Sequence, residues 1–151
     1  MKHNIKKTNS AKNCLILLVF FIAFTHMSAQ GIFGKWKTVD DHTGKAKSIV
    51  HVYEENEKAT GRIIDIINDE AKKNLCEGCK GEKKDKPIMG MIIFEELVND
   101  NNVYKGTILD PGRGKEYTCK IWIDENNPDI LNVRGYIAFL YRTQQWIRIK
   151  E

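Results

Sequence analysis

Leu131–Ile149, LNVRGYIAFLYRTQQWIRI, decides how the rest of the chain is read. Apolar and polar residues alternate through Leu131, Val133, Gly135, Ile137 and Phe139, a polar break follows at Tyr141–Thr143, and a second run ends in Trp146, Ile147, Arg148 and Ile149. Period-two alternation buries one face of a sheet and leaves the other in water, so the stretch predicts a strand pair closing a small β-structure. Two arginines, Arg134 and Arg142, and two large aromatics, Tyr136 and Trp146, fall within it. A binding site is expected here first.

Upstream, the same period recurs between turn signals. Ile32–Val39 reads as a strand ended by Asp40-Asp41-His42-Thr43-Gly44, with Gly supplying the positive φ of the turn. Ala46–Glu54, Ala59–Ile67, Met91–Val98 and Val103–Leu109 follow, the last closed by Asp110-Pro111-Gly112-Arg113-Gly114 with Pro at the second turn position. Glu116–Ile123 alternates most cleanly, placing Tyr117, Cys119, Ile121 and Ile123 on one face. Asn68–Gly90 is the longest irregular piece, and no helical period stands out after residue 30. About eight strands joined in order by short turns predict an all-β, up-and-down antiparallel barrel, because closure removes the unpaired edges of a sheet. A barrel of that size is either filled by side chains or holds one small ligand.

Residues 1–29 read as a secretory signal. Lys2, Lys6, Lys7 and Lys12 precede Cys14–Phe24, an apolar run of 11 residues, and Ser28-Ala29-Gln30 supplies a small-residue exit with cleavage expected after Ala29. The run is too short for a stable membrane-spanning helix, so no transmembrane segment is expected after cleavage. Four of the 24 basic residues lie in this segment and none of the 20 acids does, so residues 30–151 are formally neutral. A neutral domain has no broad field for phosphate backbones, and nucleic acid is not an expected partner.

Gly34-Lys35-Trp36, Asp40-Asp41, Cys76-Glu77-Gly78-Cys79-Lys80-Gly81, Pro87-Ile88-Met89-Gly90, Gly106-Thr107-Ile108-Leu109-Asp110-Pro111, Arg134-Gly135-Tyr136 and Arg142-Thr143-Gln144-Gln145-Trp146 occur in that order. Together they resemble a bacterial family of secreted proteins, domain of unknown function (DUF) 2147, across Gly31 to Arg148. The resemblance implies an exported bacterial domain with a β-rich, lipocalin-like fold, and it carries over no catalytic residue. Gly34-x-Trp36 is also similar to the opening of lipocalins, in which a Trp plugs one barrel end and a late Arg covers its ring. Arg148 is the candidate for that role.

Each remaining constellation has a bland and a sharp reading. Cys76 and Cys79 fit a structural disulfide that shapes a tight loop in an oxidising compartment. Redox chemistry would need a helix after the first thiol, and zinc two more ligands, whereas Cys119, His42 and His51 lack paired spacing. No metal and no cofactor is expected. Asp40, Asp41 and Asp110 read first as turn formers, and His51 as a half-buried histidine. The Glu70–Lys86 loop, with lysines and acids mixed, reads as a solvated surface. On alternation Arg134 and Tyr136 share the face opposite Val133 and Ile137. Facing the lumen, the guanidinium among aromatics would anchor a ligand carboxylate or phosphate; facing solvent or rim, the favoured reading, both are ordinary exposed residues.

The expected ligand contacts are Trp36, Asp40, Asp41, Tyr104, Asp110, Tyr117, Arg134, Tyr136, Arg142 and Trp146. The leading expectation is a periplasmic or secreted binding protein of the cell envelope, a lipocalin-like carrier or sensor of a small, partly apolar ligand or lipid. The alternative is a filled barrel serving as a structural or interaction module for an envelope component. An enzyme would require ionisable groups with perturbed pKa values to converge in one cleft, and is the weakest of the three.

Overall fold

A computed structural model describes residues 31–40 and 43–150. Residues 1–29, expected to be a secretory signal, and Asp41 lie outside these residues. Eight antiparallel strands run in chain order and close on themselves: β1 (Gly34–Val39), β2 (Ala46–Glu55), β3 (Lys58–Ile66), β4 (Ile92–Asp100), β5 (Val103–Asp110), β6 (Lys115–Ile123), β7 (Ile130–Ile137) and β8 (Leu140–Arg148). Closure is made by β1 and β8, with Trp36 opposite Arg148 and Lys37 opposite Ile147. The expected first-to-last pairing is therefore present, and every strand has two neighbours.

The alternation seen in the sequence becomes an inside and an outside. Trp36, Val50, Val52, Cys119, Ile121, Leu131, Val133 and Trp146 are buried in one cluster with Ile93, Phe94 and Leu97 of β4. Two glycines let neighbouring strands approach: a Cβ at Gly61 would overlap the Phe94 ring, and one at Gly106 would overlap Leu97. Outward positions of β5 and β6 carry Lys105, Thr107, Glu116, Thr118 and Lys120. Charges facing lipid are costly, so this is not the outer face of a membrane-spanning barrel.

One turn lies elsewhere than the alternation indicated. The β7–β8 hairpin pairs Tyr136 with Tyr141, Gly135 with Arg142 and Ile137 with Leu140, so Tyr141–Thr143 is strand and Ala138–Phe139 is the turn. The expected polar break is thus an outward- and rim-facing part of β8, and a two-residue turn closes because Ala138 takes a left-handed φ of 53°. Phe139, counted on the apolar face, sits instead at the tip in water. Asn68–Gly90 also carries two short 3-10 helices, Asp69–Lys73 and Gly81–Lys83.

Odd-numbered strands rise from one end, so the turns sort by barrel end. The Asn56–Glu57 and Asn101–Asn102 turns and Asp124–Asp129 lie at one end with the start of β1 and the end of β8. The Asp40–Lys45 turn, the long β3–β4 loop, the Pro111–Gly114 turn and the β7–β8 tip lie at the other.

Candidate functional site

The first end is shut by Trp36. Its ring is fully buried, and its Nε1–H donates to the Ile32 carbonyl at 2.8 Å. The Arg148 guanidinium lies over the ring at 4.1 Å from its centroid and donates to the carbonyls of Phe33 at 3.0 Å and Gly31 at 2.8 Å. Register dictates this contact: partners across the β1–β8 seam point the same way, so one inward Trp brings one inward Arg with it. Desolvation pulls the Arg148 pKa down while Asp129 opposes it, and the group stays cationic. Tyr104 belongs to this end as well, edge-on to Phe33 at 5.8 Å, with its hydroxyl pKa raised first by burial and then by Glu54.

Above the plug the barrel is hollow. A cavity of about 540 Å³ opens toward the other end. Its depth is apolar, formed by Val50, Ile63, Ile66, Ile93, Ile108 and Val133, with Trp146 among them donating its Nε1–H to Gln144 Oε1 at 3.2 Å. Polar groups collect toward the mouth. Thr38 and Ser48 face each other at 2.8 Å between hydroxyl oxygens. Lys47, Arg113 and Arg142 are the cations among the lining residues, against one carboxylate, Asp110. Asp110 accepts from the Gly112 N–H at 3.1 Å and reaches Arg113 at 3.7 Å, so it shapes its own turn while lining the site.

The disulfide braces this rim. Cys76 and Cys79 are bonded, and with Met91 and Leu109 they form a second small core. The knuckle sits directly against the Pro111–Gly114 turn: a Cβ on Gly114, whose φ is 63°, would collide with the backbone of Gly78. Glycine on both sides is what permits two loops to meet backbone to backbone. The long loop then contributes Ala71, Asn74 and Ile88 to the cavity wall. Reading Glu70–Lys86 as a solvated surface missed Ala71 and Asn74, and the expected contacts also left out Ile88, Thr38, Lys47, Ser48, Arg113 and Gln144. The available signal was modest, namely isolated small or apolar residues within a run of charges.

The ten expected contacts therefore divide. Asp110, Tyr117, Arg142 and Trp146 line the cavity. Trp36 and Tyr104 lie at the plugged end. Asp40 accepts from the Thr43 N–H at 2.9 Å and lies 3.9 Å from Lys47, which makes it a turn residue beside the mouth. Arg134 and Tyr136 are on the outer face, since Val133, Gly135 and Ile137 are the β7 residues that line the cavity. There Arg134 donates to Thr143 Oγ1 at 2.7 Å and stacks over Tyr141 at 4.3 Å and Trp122 at 5.0 Å. Tyr136 lies 6.0 Å from Tyr141, with the Lys120 ammonium 5.7 Å from its ring centroid.

Among the described residues, none of the groups with a clear titration shift lines this cavity. Burial pushes the inward Cys119 thiol up to about 12, a value that leaves it protonated and unreactive. At the plugged end, a hydrogen bond from the Asn132 amide lowers the Asp124 pKa. No group of three metal-ligating side chains occurs among the described residues.

A family model described as "Uncharacterized protein conserved in bacteria (DUF2147)" matches residues 34–148, the entire barrel. This chain belongs to the DUF2147 family. No curated protein matches the sequence. Among solved structures the DUF2147 protein is similar to protein HP1028 from the human pathogen Helicobacter pylori, described as belonging to the lipocalin family. The TM-score is 0.66 at 19% identity, covering 80% of this chain and 84% of that one. At that identity the likeness shows the fold, a lipocalin-like barrel, and it says nothing of any ligand.

Proposed function

We propose that this DUF2147 protein is an exported, envelope-located carrier or sensor whose barrel takes up one amphiphilic small molecule with an apolar body and an anionic head, such as a long-chain carboxylate. The cavity carries the reading. At about 540 Å³ it falls within the roughly 300–1,000 Å³ that small-ligand sites span, and it is closed at one end and polar at the other. Apolar walls reward burial of a hydrocarbon body at about 25 cal/mol per Å². Arg113 and Arg142 at the mouth suit a carboxylate or phosphate, because a guanidinium presents paired donors to such groups. A filled-barrel module is disfavoured by the same hollow interior. Export is supported by the lysine-rich, apolar N-terminal segment and by a disulfide of a kind that persists in oxidising compartments.

The test is uptake of a fluorescent fatty acid, with Gly135→Phe as the blocking variant. A Cβ at Gly135 meets nothing closer than the Tyr117 Cβ at 3.6 Å, so the added ring can enter the cavity without displacing backbone. One probe should bind per protein, Arg113→Ala with Arg142→Ala should weaken it about tenfold, and Gly135→Phe should abolish uptake in a folded protein. Undiminished uptake by Gly135→Phe would refute the site.

A further inference from the structure

The two barrel ends differ at their turns: at the open end Ile137, Leu140 and Tyr141 border the cavity mouth, while Phe139 at the tip does not. At the plugged end the two-residue turns are Asn56–Glu57 and Asn101–Asn102, polar residues that tolerate the positive φ values found there. At the open end the matching turn is Ala138–Phe139, within the run Ile137-Ala138-Phe139-Leu140-Tyr141. Phe139 is 91% exposed, Leu140 and Tyr141 each 62%, and Ile137 61%. Ala138 holds a left-handed φ of 53° that Asn or Gly would take more readily. A turn selected only to fold would be polar; this one projects an apolar hairpin tip into water beside the cavity mouth.

Below the tip the outer face changes character in steps. Tyr136 and Tyr141 form the first rung, followed by Arg134 stacked on Tyr141 and Trp122, with Lys120 against Tyr136. Apolar side chains at the end, then amphipathic rings, then cations is the order met on passing from hydrocarbon through headgroups to water. We infer that the β7–β8 tip is a membrane-docking element that seats the open mouth of the barrel on a phospholipid bilayer, with the Tyr136/Tyr141 and Arg134/Lys120 collar at headgroup level. The docking does not depend on the cavity being occupied, and so goes beyond the ligand reading. A second protein is a poorer fit, because five tip residues fall far short of the roughly 20–30 per side in a stable interface. A bilayer needs no such matched surface and accepts a small apolar wedge.

The test is vesicle flotation of residues 30–151, which contain every strand of the closed barrel, on phosphatidylcholine vesicles with and without about 30% phosphatidylglycerol. Partition is expected on both, several-fold stronger on the anionic vesicles because of Arg134 and Lys120. Phe139→Ser, at the tip residue that does not line the cavity, should cut partition about tenfold. That variant should still take up the soluble fatty-acid probe, which separates loss of docking from failure of the ligand site and from misfolding. As a local readout, an environment-sensitive dye on Leu140→Cys should shift to the blue with vesicles, while the same dye on Asn101→Cys at the plugged end should not. Three results would overturn the inference: no partition on either vesicle, undiminished partition by Phe139→Ser, or lipid-independent dimerisation that shifts the Leu140 dye in the absence of vesicles.

Discussion

Arg148→Ala should destabilise the barrel by about 3–4 kcal/mol. The side chain is 10% exposed, and its guanidinium serves four purposes at once. It donates to Gly31 and Phe33 at 2.8 and 3.0 Å, donates more weakly to Pro128 at 3.3 Å, approaches Asp129 at 3.8 Å and covers the Trp36 ring. The Gly31 carbonyl is exposed and rehydrates after truncation, so that bond contributes about 1 kcal/mol. The Phe33 carbonyl is partly buried, and leaving it unpaired costs about 1–2 kcal/mol. Uncovering the indole loses about 1 kcal/mol more. Together these amount to a large share of the 5–15 kcal/mol by which domains are typically stable, and correspond to a fall in Tm of about 12–16 °C. Arg148→Lys keeps the charge but cannot reach the carbonyls on both sides of the seam with one planar group, and should lose about 2 kcal/mol. Urea unfolding followed by tryptophan fluorescence measures both. A loss below about 1 kcal/mol for Arg148→Ala, or a lysine variant as stable as the parent, would refute the plug as the clasp of the barrel.

Three further outcomes follow from packing and from the disulfide. Gly61→Ala places a methyl in the Phe94 ring and should cost about 1–3 kcal/mol, whereas Gly135→Ala, whose methyl would meet only Tyr117 at an ordinary contact distance, should cost less than about 1; chemical denaturation compares them directly. For the cysteines of residues 30–151, a thiol reagent should find none in the native protein, one after unfolding and three after unfolding and reduction, because Cys119 is buried and Cys76 is bonded to Cys79. The Cys76–Cys79 disulfide closes only a very small loop, so replacing both cysteines by serine should cost no more than about 2 kcal/mol, yet it frees the rim and should weaken probe uptake more than it lowers stability.

Much of the architecture was legible because a two-residue period is a local property. Tyr117, Cys119, Ile121 and Ile123 point inward for the same reason in the sequence and in the barrel: each adjacent pair of residues faces opposite ways. Closure, too, was expected, from the number of strands and the edges that closure removes, and the resemblance to lipocalins pointed to Trp36 and Arg148 as its partners. The misplaced β7–β8 turn shows the limit of such reasoning. Polarity marks exposure, and Tyr141–Thr143 is a run of polar residues within a strand, while the true turn is apolar and so carries no turn signal.

What the sequence determined alone was the number of strands, their order and which side chains share a face, since these follow from local alternation and turn chemistry. Only the tertiary structure decided that the interior is hollow above Trp36, that Arg142 borders it while Arg134 stays outside, and that the disulfide loop buttresses its rim. Those outcomes depend on barrel closure and on contacts between residues dozens of positions apart. No local pattern encodes the volume left between strands once they have met.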